Sequence, residues 1–464
     1  MTEFVPPYPS RPAKPLSVLS LLRGLTRNFL AVWPAFAFEY EFFATRLLSR
    51  RVFICNSPDT VNYAFITNNA NFERKSPQMR HALKPLLGDG LFVSDGDVWK
   101  RRRRIVAPIV HVSRLPLFAP IMVDTAVETA ARWARLPPAA EIDALSEMAE
   151  LTAEIICRTI FGRRLGADHA QAIVGSFSEY QRKIGQTDFA SLLGLPDWLP
   201  RLYGGSIRRA TERIHRILDG IIASYRARPR DSEPSVIGLL LEARDQETGE
   251  PLDAEALRSE AAVIFMAGHE TTANSLAWTW YLLSQAPDVE ARLHAELDAV
   301  LGGRAPTLDD VPKLIYTRAV FEEALRLYPP VPLLARQALQ DEVIRGRAIK
   351  AGSILMVVPW LLHRHKRLWD RPDHFMPERF LPGNAANRPK GAYVPFSIGP
   401  RICAGAAFGL TEAILCLATL AQRFELRLVP GTVVEPVCRL TLRPGKRLPM
   451  IVQARAAALG VAAE

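Results

Sequence analysis

Cysteine is scarce: five occur in 464 residues, Cys55, Cys157, Cys403, Cys416 and Cys438, odd in number and far apart. That spacing implies neither a disulfide framework nor a zinc cluster, and a reducing, cytoplasmic setting is expected. Long hydrophobic runs are missing near the start. MTEFVPPYPSRPAKP has no basic region leading into an apolar stretch, and the uncharged run from Asn28 to Phe38 contains Pro34. It falls far short of the ~20 residues a bilayer span needs. Neither a secretory signal nor a membrane anchor is expected, and Phe29, Leu30, Val32 and Trp33 are expected to pack into a core, with peripheral membrane contact as the alternative. The chain also lacks a glycine-rich dinucleotide fingerprint, a nucleic-acid motif, an internal repeat and a low-complexity tract. Acidic residues are too few to balance the basic ones, leaving a net charge of +10. Without a nucleic-acid motif, that excess points to an acidic protein partner. A hydrophobic content of 48% with 23% charged residues suits a globular chain that buries a large core.

What is present centres on FSIGPRICAG, Phe396 to Gly405. Cys403 stands there between bends, with Arg401 beside it and an apolar helical run from Ala404 through Leu420 after it. A helix N-terminus following a thiol lowers its pKa, and a thiol ligates metal only as thiolate. Gly399 and Gly405 let backbone pass close to a large planar group, Pro400 stiffens the bend and Phe396 shields the sulfur. A buried structural thiol is the ordinary fate of a lone cysteine and stands as the alternative.

Asp253 to Ala286 is expected to form one helix of roughly 50 Å, at ~1.5 Å per residue, closed by Pro287. Its centre, AAVIFMAGHETTANSLAWTW, is apolar nearly all round, which means burial. Val263, Ala267, Glu270, Thr271 and Asn274 share one face. Burying a carboxylate, a hydroxyl and an amide together is costly unless they pair or line a wet cavity. Gly268 weakens the helix at that point, as for a local opening. His269 lies about 100° off the stripe and reads as structural.

Elsewhere, residues 16 to 50 read as helical, RVFICN (51 to 56) as a strand and Thr60 to Asn69 as a helix. Phe72 to Asp97 reads as a loop. Helical patterns run from Trp99 to about 230, interrupted at Pro137-Pro138, at Gly162 to Gly166 and over 194 to 205. After Pro332 short strands follow, residues 371 to 395 are aperiodic, and strand-like pieces recur at Glu425 to Leu428 and Pro449 to Val452. Trp99 and Arg103 share a helix face, and an indole N–H with a guanidinium suits a carboxylate. Lys100, Arg101 and Arg104 read as a solvated basic face, and Arg102 is ambiguous. Glu323 and Arg326 in EEALR stand at i, i+3, a pair common by chance.

Taken in order, AGHETT, EEALR, PERF (377 to 380) and FSIGPRICAG resemble the four motifs of the cytochrome P-450 superfamily, and the likeness runs from the first helix to the last strand. It implies a mainly α triangular prism with a small β portion, near 45–75 and 335–380, and one haem domain over 1–464 with no fused reductase. Cys403 would be the axial ligand of haem b. Trp99, Arg103, Arg336 and Arg401 would meet the propionates, with Phe396, Gly405 and Ala267 against the ring. Glu270 and Thr271 become the acid and alcohol pair that relays protons for oxygen activation, while Glu323, Arg326 and Arg379 hold the segment before the cysteine loop. Val263, Phe265, Met266, Val331, Leu333, Leu334, Leu440 and Leu442 make the expected substrate pocket apolar.

The implied activity is monooxygenation of an apolar small molecule by dioxygen. Electrons would come from a separate acidic ferredoxin or flavodoxin with its reductase, docking on a monomer near Lys100, Arg101, Arg104, Arg388 and Lys390. Two alternatives are a peroxide-driven or isomerising relative, and a non-enzymatic haem sensor or carrier. The Glu270–Thr271 pair argues against both.

Overall fold

Asp253 starts the element around which the rest packs. Its side chain accepts from the Ala256 N–H at 2.7 Å, and the helix it caps runs unbroken over Ala254–Gln285, with Pro287 just beyond. This computed structural model describes residues 4–47, 50–162, 175–177, 179–180, 204–227, 235–438 and 440–455. From Ala273 to Leu283 every residue of the central helix is buried, as its all-round apolar sequence requires. The helix does not open at Gly268. A Cβ there would lie 2.8 Å from Ile156 Cδ1, so this glycine permits close approach of the helix Ala144–Phe161.

Further helices surround this pair: Gly96–Val106, Leu115–Trp133, Gly205–Arg226, Ile315–Leu327 and Ala406–Ala421. Among the described residues, none is long and apolar enough to cross a membrane. The interruptions expected at 163–166 and 194–203 lie outside the described residues.

Strands are short: β1 (Phe42–Leu47), β2 (Arg50–Cys55), β3 (Glu141–Asp143), β4 (Leu334–Gln337), β5 (Glu342–Ile344), β6 (Arg347–Ile349), β7 (Ile354–Val357), β8 (Phe424–Leu428), β9 (Pro436–Cys438), β10 (Leu442–Pro444) and β11 (Pro449–Ala454). One sheet has the order β1-β2-β7-β4, another β3-β11-β8, and β5–β6 and β9–β10 are hairpins. β2 and β7 pair in parallel across most of the chain, with Ile54 opposite Met356. A satellite core including Phe42, Phe53, Phe65 and Leu355 lies against the first sheet, apart from the main core around the central helix.

Several expectations are corrected. Residues 16 to 50 are not one helix: Val18–Arg27 is followed by two 3₁₀ turns and then by β1, where Phe42 stacks on Phe53 of β2. Long-range pairing decides that strand. The stretch Phe72 to Asp97 contains the helix Pro77–Leu87, started by Ser76, whose side chain accepts from the Met79 N–H. The named strands near 45–75 end at Cys55, although Lys75 bridges Arg336 of β4, and those near 335–380 end at Val357. The strands β3 and β8 to β11 fall outside both ranges. Leu30, Val32 and Trp33 are buried, as their pattern requires.

Candidate active site

The loop before the helix Ala406–Ala421 is folded by its own backbone. Cys403 N–H donates to Phe396 O at 2.8 Å, and Gly399 takes φ +75° where a Cβ would meet Phe65 O at 2.1 Å. Gly399 is therefore demanded by neighbouring backbone. At Gly405 a Cβ would meet nothing within 4 Å. Beside it Cys403 is surrounded by protein, yet its side chain is open to an internal cavity of about 300 Å³. Burial raises the Cys403 pKa, and the Gly405 N–H, Arg103 and Lys75 offset this only in part. The lowering expected from the helix N-terminus is present but is not the larger effect.

The segment leading to this loop hangs on Arg326. All five of its N–H groups are used: two on Glu323, at 2.6 and 2.7 Å, and the others on the carbonyls of His363, Pro372 and His374. Glu323 also accepts from the Met376 N–H at 2.9 Å and pairs with Arg379 at 3.5 Å. His363, kept neutral by burial and by Arg326, accepts on Nε2 from the Val394 N–H at 2.9 Å, two residues before Phe396. Glu323 and Arg326 are wholly buried.

Four cations border the cavity near the cysteine: Lys75, Arg103, Arg336 and Arg401. Arg336 is buried between the Ala335 carbonyl and the Phe65 ring, and Arg401 donates to Ser94 O and lies over Trp99. Arg103 donates to Ile402 O at 2.8 Å. None of the four has a carboxylate within 4.0 Å among the described residues, and Arg401 Nε has no partner. Burial and the charges of Arg336 and Arg401 push the Lys75 pKa well down. Two buried cations, Arg336 and Arg401, and two half-buried ones, Lys75 and Arg103, all without a carboxylate, call for an anionic group. Together with an open thiol and an empty margin at Gly405, they fit a haem with its two carboxylates. Lys75 was not legible in the sequence, because its aperiodic stretch gives no facing to read.

Val263, Met266 and Ala267 of the central helix line the cavity together with Glu270 and Thr271. So do Trp99, Val331, Leu333, Leu334, Phe396 and Leu440. Two expected pocket residues do not. Phe265 turns to the other side of the helix, against Phe177 and His269, with ring centroids at 4.4 and 5.8 Å. Leu442 is already in β10 and buried, whereas Leu440 and Thr441 precede the strand and reach the wall. His269 is buried away from the cavity and kept neutral, its pKa lowered to about 4.

Thr271 Oγ1 donates to Ala267 O at 2.7 Å. Glu270 does not pair with Thr271. Its Oε1 accepts from Thr441 at 2.7 Å, Oε2 has no partner among the described residues, and burial raises its pKa.

The basic run is mostly not a solvated face. Arg104 holds the buried Asp245 through two bonds of 3.1 Å, and Arg101 lies 3.5 Å from the same carboxylate. Arg102 pairs with the buried Glu260. Lys100 pairs with the exposed Asp97. Arg388 is stacked on Phe380, Trp369 and Tyr393, so it is committed to the core margin.

Residues 7–449 match the family model described as Cytochrome P450. The chain is 36% identical to cyclooctatin synthase of Streptomyces melanosporofaciens, over 90% of this chain and 89% of that one. It is 33% identical to cyclooctat-9-en-7-ol 5-monooxygenase of the same organism, over 92% and 91%. Among solved structures, the cytochrome P450DA heme domain superposes with a TM-score of 0.79 at 28% identity, covering 90% of each chain. Sequence match, relatives and architecture thus agree over nearly the whole length, and the chain belongs to the cytochrome P450 family as a haem-containing monooxygenase.

Proposed function

We propose that this chain is a single haem b domain that oxidises a cyclic, hydrocarbon-rich alcohol with dioxygen, taking electrons from separate acidic proteins. The observation that carries this reading is the meeting of the Cys403 thiol, four unmatched cations, Glu270 and Thr271 in one apolar cavity. Cys403 would hold the iron through its sulfur, Lys75, Arg103, Arg336 and Arg401 would hold the propionates, and Trp99, Phe396, Ala267 and Gly405 would border the ring. Thiolate-ligated haem supplies an electron-rich iron that favours O–O cleavage.

The chain's own task is to deliver protons while excluding bulk water. Thr271 has its proton committed to Ala267 O, which leaves its oxygen lone pairs free to accept a hydrogen bond within the cavity. Glu270, its pKa raised by burial, is suited to give a proton and be recharged. Val263, Met266, Val331, Leu333, Leu334 and Leu440 keep the reacting end dry and favour an apolar substrate. The name of one Streptomyces relative, cyclooctat-9-en-7-ol 5-monooxygenase, supports a cyclic alcohol among such substrates. A groove of about 700 Å³ lined by Arg103, Arg104, His111 and Arg114 supports an acidic ferredoxin or flavodoxin as donor.

The test is turnover with cyclooctat-9-en-7-ol as probe. Thr271→Ala should keep haem content and the substrate-induced spectral shift while product per reductant falls about tenfold and hydrogen peroxide makes up the difference. Glu270→Gln should act in the same direction. Unchanged product yield in both variants would overturn the proton-delivery reading.

A further inference from the structure

Thr441 lies outside the long helix, at the bend before β10, yet it is the one described side chain bonded to Glu270. The hairpin fixes its backbone: β10 pairs with β9, and Leu442 N–H donates to Pro330 O at 3.0 Å. Thr441 Oγ1 also accepts from Asn274 Nδ2 at 3.0 Å. A hydroxyl has one proton. With the amide N–H of Asn274 occupying a lone pair, that proton is directed onto Glu270 Oε1 at 2.7 Å. Asn274 stands four residues after Glu270, so one helix face supplies both the donor and the final acceptor. Thr441 and Asn274 are buried, and Glu270 Oε2 is left without a partner among the described residues.

We propose that Thr441, oriented by Asn274, is a positioning residue for the Glu270 carboxyl, fixing Oε1 so that Oε2 alone takes and gives the proton. This rests on the reading of Glu270 as proton donor. Other groups facing Glu270 are Arg443 of β10, which attracts its charge, and the Cys438 thiol of β9, pushed up to about 12 and hence neutral. His269, on its own helix, is neutral as well. Neither neutral neighbour replaces the Thr441 bond.

The experiment is an infrared pH titration of the holoenzyme, following the carboxyl band that disappears in Glu270→Gln. Losing a hydrogen bond to the charged form raises a carboxyl pKa. Thr441→Val should therefore move the band's titration up by about one pH unit. Asn274→Ala should move it the same way by less, and Thr441→Ser should restore the original midpoint. In turnover with the same probe alcohol, Thr441→Val should lower product per reductant about three- to tenfold. It should add no loss when combined with Glu270→Gln.

An unmoved band in Thr441→Val, or a Thr441→Val loss that adds in full to that of Glu270→Gln, would overturn the proposal. If Thr441→Val fails to retain haem, an unmoved band in Asn274→Ala overturns it instead. A moved band with normal yield in Glu270→Gln would keep the positioning contact and remove the proton-delivery reading, so the two failures are distinguishable.

Discussion

Glu323, wholly buried, and Glu270, half-buried, are carboxylates on helices next to the cavity region, and they are treated in opposite ways. Glu323 accepts from Arg326 and the Met376 N–H and faces Arg379, while Arg326 has every N–H in use. Glu270 has one neutral hydroxyl on one oxygen and, among the described residues, nothing on the other. The same contrast divides the cations. Arg326 is matched by a carboxylate within hydrogen-bond distance, whereas Lys75, Arg103, Arg336 and Arg401 have none within 4.0 Å among the described residues. Saturated charge marks the frame, and unsaturated charge marks where something other than protein binds or reacts.

The largest effect is expected where saturation is broken. Glu323→Ala leaves Arg326 buried without its anion and should cost about 3–5 kcal/mol in unfolding free energy, with loss of haem incorporation. Thermal unfolding with haem quantitation checks this. A variant of normal stability would remove the frame half of the comparison. On the unsaturated side, Lys75→Met should leave unfolding within about 1 kcal/mol of wild type but speed haem release about tenfold, because a charged hydrogen bond to a propionate is lost. Transfer of haem to an excess of haem-free globin measures it. Destabilisation as large as that of Glu323→Ala would mean Lys75 belongs to the frame after all.

A smaller effect is expected at the surface groove. Arg101 and Arg104 are spent on Asp245, so Arg114 is a better probe of donor docking. Arg114→Glu should slow first-electron transfer from an acidic ferredoxin a few-fold at low ionic strength and weaken its salt dependence, with substrate affinity unchanged. An unchanged rate would place docking elsewhere.

How far the sequence could be read follows the same division. Cys403, Glu270 and Thr271 sit in contiguous motifs, and the central helix is legible because its cap, its apolar run and Pro287 are local signals. Lys75 and Thr441 are not legible, since each gains its place from strands and turns brought together from distant parts of the chain. Phe265 was misplaced by one helical step and Leu442 by the bend that delays strand alternation until β10. β1 was read as helix because its six residues carry too little periodicity to outweigh the helical stretch before them, and only pairing with β2 settles it. Asp245 and Glu260 turn a run of basic residues from solvated into clamped, an outcome set by tertiary contacts alone.

The central claim is that the open thiol of Cys403 is the ligand for which the unsaturated region is built. Its most direct test is the spectrum of the reduced holoenzyme under carbon monoxide. Wild type should give the strongly red-shifted Soret band of thiolate ligation, retained when Cys55, Cys157, Cys416 or Cys438 is replaced and lost in Cys403→Ser. A histidine-type band in undamaged wild-type protein, or a red-shifted band that survives in Cys403→Ser, would contradict it.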